Sequence, residues 1–184
     1  MSIEQAQHDM RATSIGGYPG AIVSGFIWLI SASLATWSTP RSAILCLVVG
    51  GMFIFPITAA ILRVGLSHPN PLNGLAMQVA FTIPLTIPLA GAAALHRLEW
   101  FYPAMLVIVG AHYLPFVTLY GMRVYAAIAG VMIAAGLWIA IAHMPFAAGG
   151  WTGGAIEIAF GAAGFATTMS SPASARDLGG RAVP

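Results

Sequence analysis

Six long apolar runs dominate this chain, and all of its few charges but Glu157 fall outside them. Each run is about the 20 residues that a helix needs to cross the hydrocarbon of a bilayer. A water-soluble domain is roughly 25% charged, whereas this chain is 7% charged and 59% hydrophobic. Six spans and their connections nearly exhaust the 184 residues, which leaves no room among them for a soluble catalytic domain. The pattern predicts an all-α membrane protein, a bundle of six transmembrane helices with the N and C termini cytoplasmic.

The predicted spans are 20–37, 42–62, 75–95, 101–120, 124–142 and 151–168. The breakers between them are Ser38-Thr39-Pro40, His68-Pro69-Asn70-Pro71, Gly121, and Pro145 through Gly150. Connections this short make neighbouring helices antiparallel. Residues 1–19 form a polar N-terminal segment, whose first dozen residues are expected to be mobile or to lie at the interface. Residues 20–169 make the transmembrane domain, and the small, polar 170–184 tail is expected to be disordered. Ser33-Leu34-Ala35 loosely resembles a signal-peptide cleavage site. The segment before it holds Glu4 and Asp9 against Arg11, not a compact basic region, so the first run is expected to remain as a span.

Orientation follows from arginine. Arg11, Arg63, Arg123, Arg176 and Arg181 fall on the side of the termini; only Arg41 and Arg97 fall opposite. This asymmetry predicts that both termini are cytoplasmic. Trp37, Trp100 and Trp151 end their spans on the arginine-poor side, where an indole buries its ring and keeps its N–H wet. The pI near 9.0 comes from scattered arginines without a basic patch, so no nucleic-acid partner is expected. The single cysteine, Cys46, can make neither an internal disulfide nor a cysteine-based zinc site, and it reads as a small buried hydrophobe.

Polar groups inside the runs carry the functional information. Glu157 lies six residues past Trp151, about 9 Å deeper along a helix. A carboxylate at that depth faces protein or water. The small-residue stripe Gly150, Gly153, Gly154, Gly161 and Gly164 invites another helix onto its own. Glu157 reads either as a proton- or cation-binding group or as a protonated packing group bonded to a facing helix. His112 falls near mid-membrane, and Pro115 leaves the carbonyl of Ala111 without a donor nearby. It reads as a cavity-lining group with Tyr113 and Tyr120, or as a neutral histidine tied across the bundle. The run Thr82-x-Pro84-x-Thr86-x-Pro88 predicts a helix that kinks or unwinds; it reads as a broken helix at a binding site or, ahead of that, as a bent packing helix whose free carbonyls find other partners.

Other constellations are weaker. Arg63 and Arg123 read as headgroup anchors, or as a cytoplasmic mouth together with the turn residues Asn70 and Asn73. His96, Glu99 and His143 could meet around zinc, but they come from two connections, so no metal is expected. A b-type haem would need a second histidine at the depth of His112, and the others sit at span ends or in loops, so no cofactor is expected. Gly51 through Arg63 and Gly110 through Arg123 share a Gly-x4-Pro spacing, a threonine and a terminal arginine, as a parallel duplication of a helical hairpin would. Metalloprotease, nucleophile-elbow, Cys-x-x-Cys and phosphate-loop motifs are absent. The only aspartates, Asp9 and Asp177, lie in terminal segments.

Gly16-Gly-Tyr-Pro-Gly20, Gly50-Gly-Met-Phe-Ile-Phe-Pro56, Asn70-Pro-Leu-Asn73 and Gly110-Ala-His-Tyr-Leu-Pro-Phe116 stand together in this order. With them the chain resembles, over about residues 15–145, a family of small bacterial multi-pass membrane proteins known only as a domain of unknown function. The resemblance implies a bacterial inner-membrane protein. It supplies no activity, substrate or catalytic residue, and Glu157 lies outside the matched stretch.

The leading functional expectation is binding or transport of a small molecule or ion through a polar cavity among the second, third, fourth and sixth spans. His112, Tyr113, Glu157 and Tyr120 would line it, and Arg63, Arg123, Asn70 and Asn73 would form its mouth. The alternatives are a structural or assembly subunit, with a membrane protein or a second copy as partner, and an intramembrane lipid-modifying enzyme using His112 as base.

Overall fold

The computed structural model describes residues 1–62 and 69–169, which are helical with no strand among them. Seven α-helices follow one another: α1 (Ile3–Ser14), α2 (Tyr18–Trp37), α3 (Pro40–Leu62), α4 (Asn73–His96), α5 (Phe101–Tyr120), α6 (Val124–Ile141) and α7 (Ala148–Met169). Helices α2 to α7 fall on the six predicted spans, their ends shifted by a few residues. Five helical stretches of the described chain are long and apolar enough to cross a membrane: 3–37, 40–62, 73–96, 98–120 and 124–141. The remaining long helix, α7, has 22 residues and is diluted by its glycines and Glu157. The fold is that of a helical membrane protein. Arg63 and the tail 170–184 lie outside the described residues.

The packing register shows which helices run against each other. Gly25, Trp28 and Ala32 of α2 meet Gly154, Gly153 and Gly150 of α7, while Ile22 and Tyr18 meet Gly161 and Gly164. Numbers falling on one helix as they rise on the other mean antiparallel packing. Helices α5 and α6 do the same, Gly110 lying against Ala129 and Ile133 and Gly136 against Pro103 and Leu106. Small residues allow such close approach, and dispersion contacts hold helices together where water does not drive them. Helices α2, α5, α6 and α7 make the centre. Helix α3 leans chiefly on α2, and α4 chiefly on α5. Both outer helices expose long apolar side chains, Phe53, Phe55 and Ile61 on α3 and Phe81, Leu85 and Leu89 on α4, as suits contact with lipid tails.

The first dozen residues form a docked helix and not a mobile segment. Ser2 and Gln5 form a reciprocal capping box at the start of α1. The turn after it uses positive φ at Ile15, Gly16 and Gly17 (51°, 63° and 80°), where glycine carries no Cβ penalty. The chain then enters α2 with Pro19 in its first turn. Ala6 is buried, Gln7 Nε2 donates to Thr118 O at 2.6 Å, and Arg11 donates to Tyr120 O. A helix C-terminus leaves carbonyls without donors, and α1 supplies donors to the end of α5. Asn70 closes the contact from the other side, donating to Ala6 O (3.0 Å) and Asp9 Oδ2 (2.8 Å) while its own Oδ1 accepts from Leu72 N (2.8 Å).

Asn70→Ala is expected to remove these bonds, each worth about 1 kcal/mol net. Amide exchange over 3–14 should accelerate about tenfold while α5 and α7 keep their protection. Unchanged exchange in α1 would show that Asn70 does not hold it.

Helix α4 continues through Pro84 and Pro88, as the reading of the prolines as bends in a packing helix expects. Thr82 Oγ1 donates to Val79 O (2.7 Å), and Thr86 Oγ1 lies within 2.7 Å of Thr82 O and 3.0 Å of Ile83 O. These bonds go to carbonyls other than those of Ala80 and Pro84, the two whose usual donors the prolines lack. The two glycines of the suggested duplication sit in different surroundings. A Cβ on Gly51 would meet nothing within 4 Å, whereas one on Gly110 would meet Ala129 O at 3.0 Å.

Candidate functional site

Glu157 sits halfway along α7 and is 0% exposed. Tyr113 Oη, from α5, donates to Glu157 Oε1 at 3.0 Å. The Ser24 hydroxyl of α2 lies beside the carboxyl, but Oε2 receives no hydrogen bond of acceptable geometry. Among the described residues, Oε2 alone is a buried side-chain polar atom without one. The glycine stripe explains the position: with Gly153, Gly154 and Gly161 pressed on α2, the intervening Glu157 is held in the interior, as the sequence spacing predicts. A buried carboxylate without a cation beside it is strongly unfavourable, and no described basic side chain forms an ion pair with Glu157.

Beneath this carboxyl lies an aromatic cluster that sequence reading missed. Tyr125 of α6 is its hub, 1% exposed. Its ring centroid is 5.2 to 5.8 Å from those of Phe116, Phe160, Tyr120 and Tyr113, and 6.4 Å from that of Tyr18. Its hydroxyl donates to Gly16 O at the α1–α2 turn. Tyr113 therefore links the cluster to the carboxylate, and Tyr120 belongs to the cluster and does not bond Glu157. The residues come from four helices and share no sequence period, so only the fold reveals them.

A second buried polar network is fully paired. Ser31 Oγ donates to Ala43 O at 2.7 Å, and that uses its one proton, so Tyr102 Oη donates to Ser31 Oγ at 2.5 Å. It ties α2, α3 and α5 together and leaves no group free for chemistry, in contrast to Glu157.

His112 takes a different direction from Tyr113. Its Nδ1 is 2.7 Å from Thr82 Oγ1 on α4, and the ring is half-buried. Thr82 gives its hydroxyl proton to Val79 O, so the imidazole donates to Thr82 through Nδ1–H. This is a tie between α4 and α5, with no nucleophile activated by the ring. His112 and Glu157 are not bonded to a common group. The Arg97–Glu99–His143 recess and the groove between α4 and α6 do not touch His112, Tyr113 or Glu157.

The mouth residues are scattered. Arg63 lies outside the described residues. Arg123 is exposed at the start of α6, Asn70 is buried in the α1 contact, and Asn73 opens α4. Arg11, which the sequence did not single out, is the basic side chain that reaches the end of α5; the capping box at Ser2 and Gln5 was the available signal for its helix. At the opposite end Glu99 and His143 line one recess with Arg97, while His96 packs on Trp100 with ring centroids 5.5 Å apart. No three histidine, cysteine or acidic side chains gather for a metal among the described residues. Trp37 and Trp151 meet edge to face at 6.0 Å, and Trp151 Nε1 donates to Thr36 Oγ1 at 3.2 Å.

The family described as "Family of unknown function (DUF7010)" matches residues 3–167, and the chain belongs to it. The match reaches further than the 15–145 stretch on which the resemblance rested, and takes in both α1 and Glu157. No curated protein and no solved structure matches the chain significantly.

Proposed function

We propose that this chain, a member of the DUF7010 family, binds a proton or a small monovalent cation at Glu157 and uses that occupancy in moving a small molecule or ion across a bacterial inner membrane. One observation carries the reading: Oε2 of a fully enclosed carboxylate has no hydrogen-bond partner. An isolated charge in that environment must be neutralised, and a proton or cation held among Glu157, Ser24 and Tyr113 does so with oxygen donors alone. Intramembrane carboxylates mark ion and proton pathways by default. His112 serves in this reading as a positioning residue that keeps α4 on α5. The arginine asymmetry supports cytoplasmic termini.

Infrared difference spectra of the protein in lipid nanodiscs test the site directly. Stepping pH, or exchanging lithium, sodium and potassium, is expected to move a buried carboxyl band that is absent from Glu157→Gln. A Glu157 band indifferent to both pH and cation would overturn the proposal. Such a result would favour the second reading, an assembly subunit, which draws on α3: this helix leans on a single neighbour and exposes Met52, Phe53 and Phe55 by more than half.

A further inference from the structure

At the end of the bundle far from α1, α4 finishes at His96, α5 begins at Phe101 and α6 finishes at Ile141. The segments between and beyond these helices enclose a recess of about 120 Å³ lined by Arg97, Glu99, Trp100, Ile139, His143 and Met144. A second, larger hollow of about 300 Å³ opens on the flank of the bundle between α4 and α6, floored by α5, with Leu89, Ala93, Val107 and Leu137 in its walls. Trp100 and Ala140 line both, so the polar recess continues into the apolar groove. The first lies level with the helix ends, where a bilayer changes from headgroup to hydrocarbon; the second lies alongside the helices, at the depth of the acyl chains.

The chemistry of the recess is specific. Arg97 is exposed, and its guanidinium stands 5.6 Å from the Trp100 ring centroid, a distance at which the ring attracts and steadies the cation. Glu99 and His143 are exposed beside it. His143 has φ 50°, an uncommon conformation for a residue with a side chain, here in the turn that leaves α6. A planar guanidinium suits a phosphate, and a carboxylate in the same recess suits an ammonium. Cation and carboxylate together above an apolar groove complement an amphiphile with a zwitterionic head and a hydrocarbon tail. A free phosphate would leave both Glu99 and the groove unused.

We infer that the Arg97–Glu99–His143 recess and the adjoining α4–α6 groove form a binding site for an amine-bearing glycerophospholipid, with its phosphate on Arg97, its ammonium on Glu99 and one acyl chain along Leu89, Ala93 and Leu137. The site is independent of Glu157 and stands at the opposite leaflet from α1.

The test uses the full chain reconstituted into nanodiscs of equal phosphatidylethanolamine and phosphatidylglycerol, transferred to mild detergent and weighed by native mass spectrometry. One retained phosphatidylethanolamine per chain is expected. Arg97→Gln should lower its retention at least fivefold. Glu99→Gln should keep a lipid but abolish the preference for phosphatidylethanolamine over phosphatidylglycerol. Ala93→Trp should block the groove and lower retention of both lipids with the headgroup residues intact. All three positions lie at helix ends or on the lipid-facing flank, and circular dichroism checks that the helices persist. Retention equal to wild type in both Arg97→Gln and Ala93→Trp would overturn the site, as would no retained lipid in the wild type. Loss in Arg97→Gln without any effect of Ala93→Trp would overturn the acyl groove and reduce the recess to an anion contact.

Discussion

Gly154→Leu is expected to destabilise the bundle by at least about 3 kcal/mol, the upper end of what overpacking normally does. A Cβ on Gly154 would stand 2.5 Å from Leu29 Cδ2, which can turn away, but also 3.0 Å from Gly25 O, which is backbone and cannot. On the facing helix, a Cβ on Gly25 would meet Ile158 N at 3.0 Å and Gly154 O at 3.1 Å. The two helices approach backbone to backbone here, so a side chain on either one separates them along their length. Separation would also open Gly153 from Trp28 and Gly161 from Ile22. Gly130 supplies the control. A Cβ there would meet nothing within 4 Å, and Gly130→Ala should be neutral or stabilising by up to about 1 kcal/mol through helix propensity. Thermal or denaturant unfolding in detergent reads both. A Gly154→Leu variant that unfolds with wild-type stability would mean that α2 and α7 do not pack through this seam.

Tyr125→Ala carries the second large effect. The ring is the shared neighbour of five aromatic side chains from α2, α5 and α7, and truncating a buried aromatic to alanine removes about 3–5 kcal/mol. In a membrane the unfolded reference is also surrounded by hydrocarbon, so the loss consists of dispersion contacts and the cavity left behind. That argues for about 3 kcal/mol. Tyr125→Phe separates the hydroxyl from the ring. It keeps the packing, leaves Gly16 O without its donor, and should lose about 1 kcal/mol. Near-ultraviolet circular dichroism should show the asymmetric tyrosine environment collapse in the alanine variant and persist in the phenylalanine one. Equal stability of Tyr125→Ala and wild type would show that the cluster is not a structural unit. Because Tyr113 joins the cluster to Glu157, Tyr125→Ala should also disturb the carboxyl band expected in the infrared spectra.

Different physical rules govern what could and could not be read in advance. The helices α2 to α7 were legible because burying a backbone in hydrocarbon allows almost nothing else, and the breakers between the runs are strong. The facing of Glu157 was legible because glycines at three- and four-residue spacing define one side of a helix. Helix α1 was not legible as a docked element. Its polar composition resembles that of a mobile segment, and its stability comes from Asn70 and from the end of α5, both far away in sequence. The prolines of α4 left two readings open in sequence, a broken helix at a site or a bent packing helix, and only the fold shows one continuous helix against α5. The pairing of His112 with Thr82 and of Tyr113 with Glu157 turns on a single residue step. Adjacent positions on a helix point about 100° apart, so neighbours in the Gly-Ala-His-Tyr-Leu-Pro segment serve opposite sides of α5.

The sequence by itself determined that this is a helical membrane protein, where its long helices run, and that a carboxylate on α7 faces the interior. Those properties follow from hydrocarbon length, backbone hydrogen bonding and local periodicity, all of which act within one helix. The tertiary structure alone decided that Glu157 keeps one oxygen unpaired, that Tyr125 unites four helices, that α1 closes one end of the bundle, and that Arg97, Glu99 and His143 share a recess at the other. Each of these depends on residues from helices or segments separated by tens of positions. Packing geometry sets such meetings, and no local pattern encodes them.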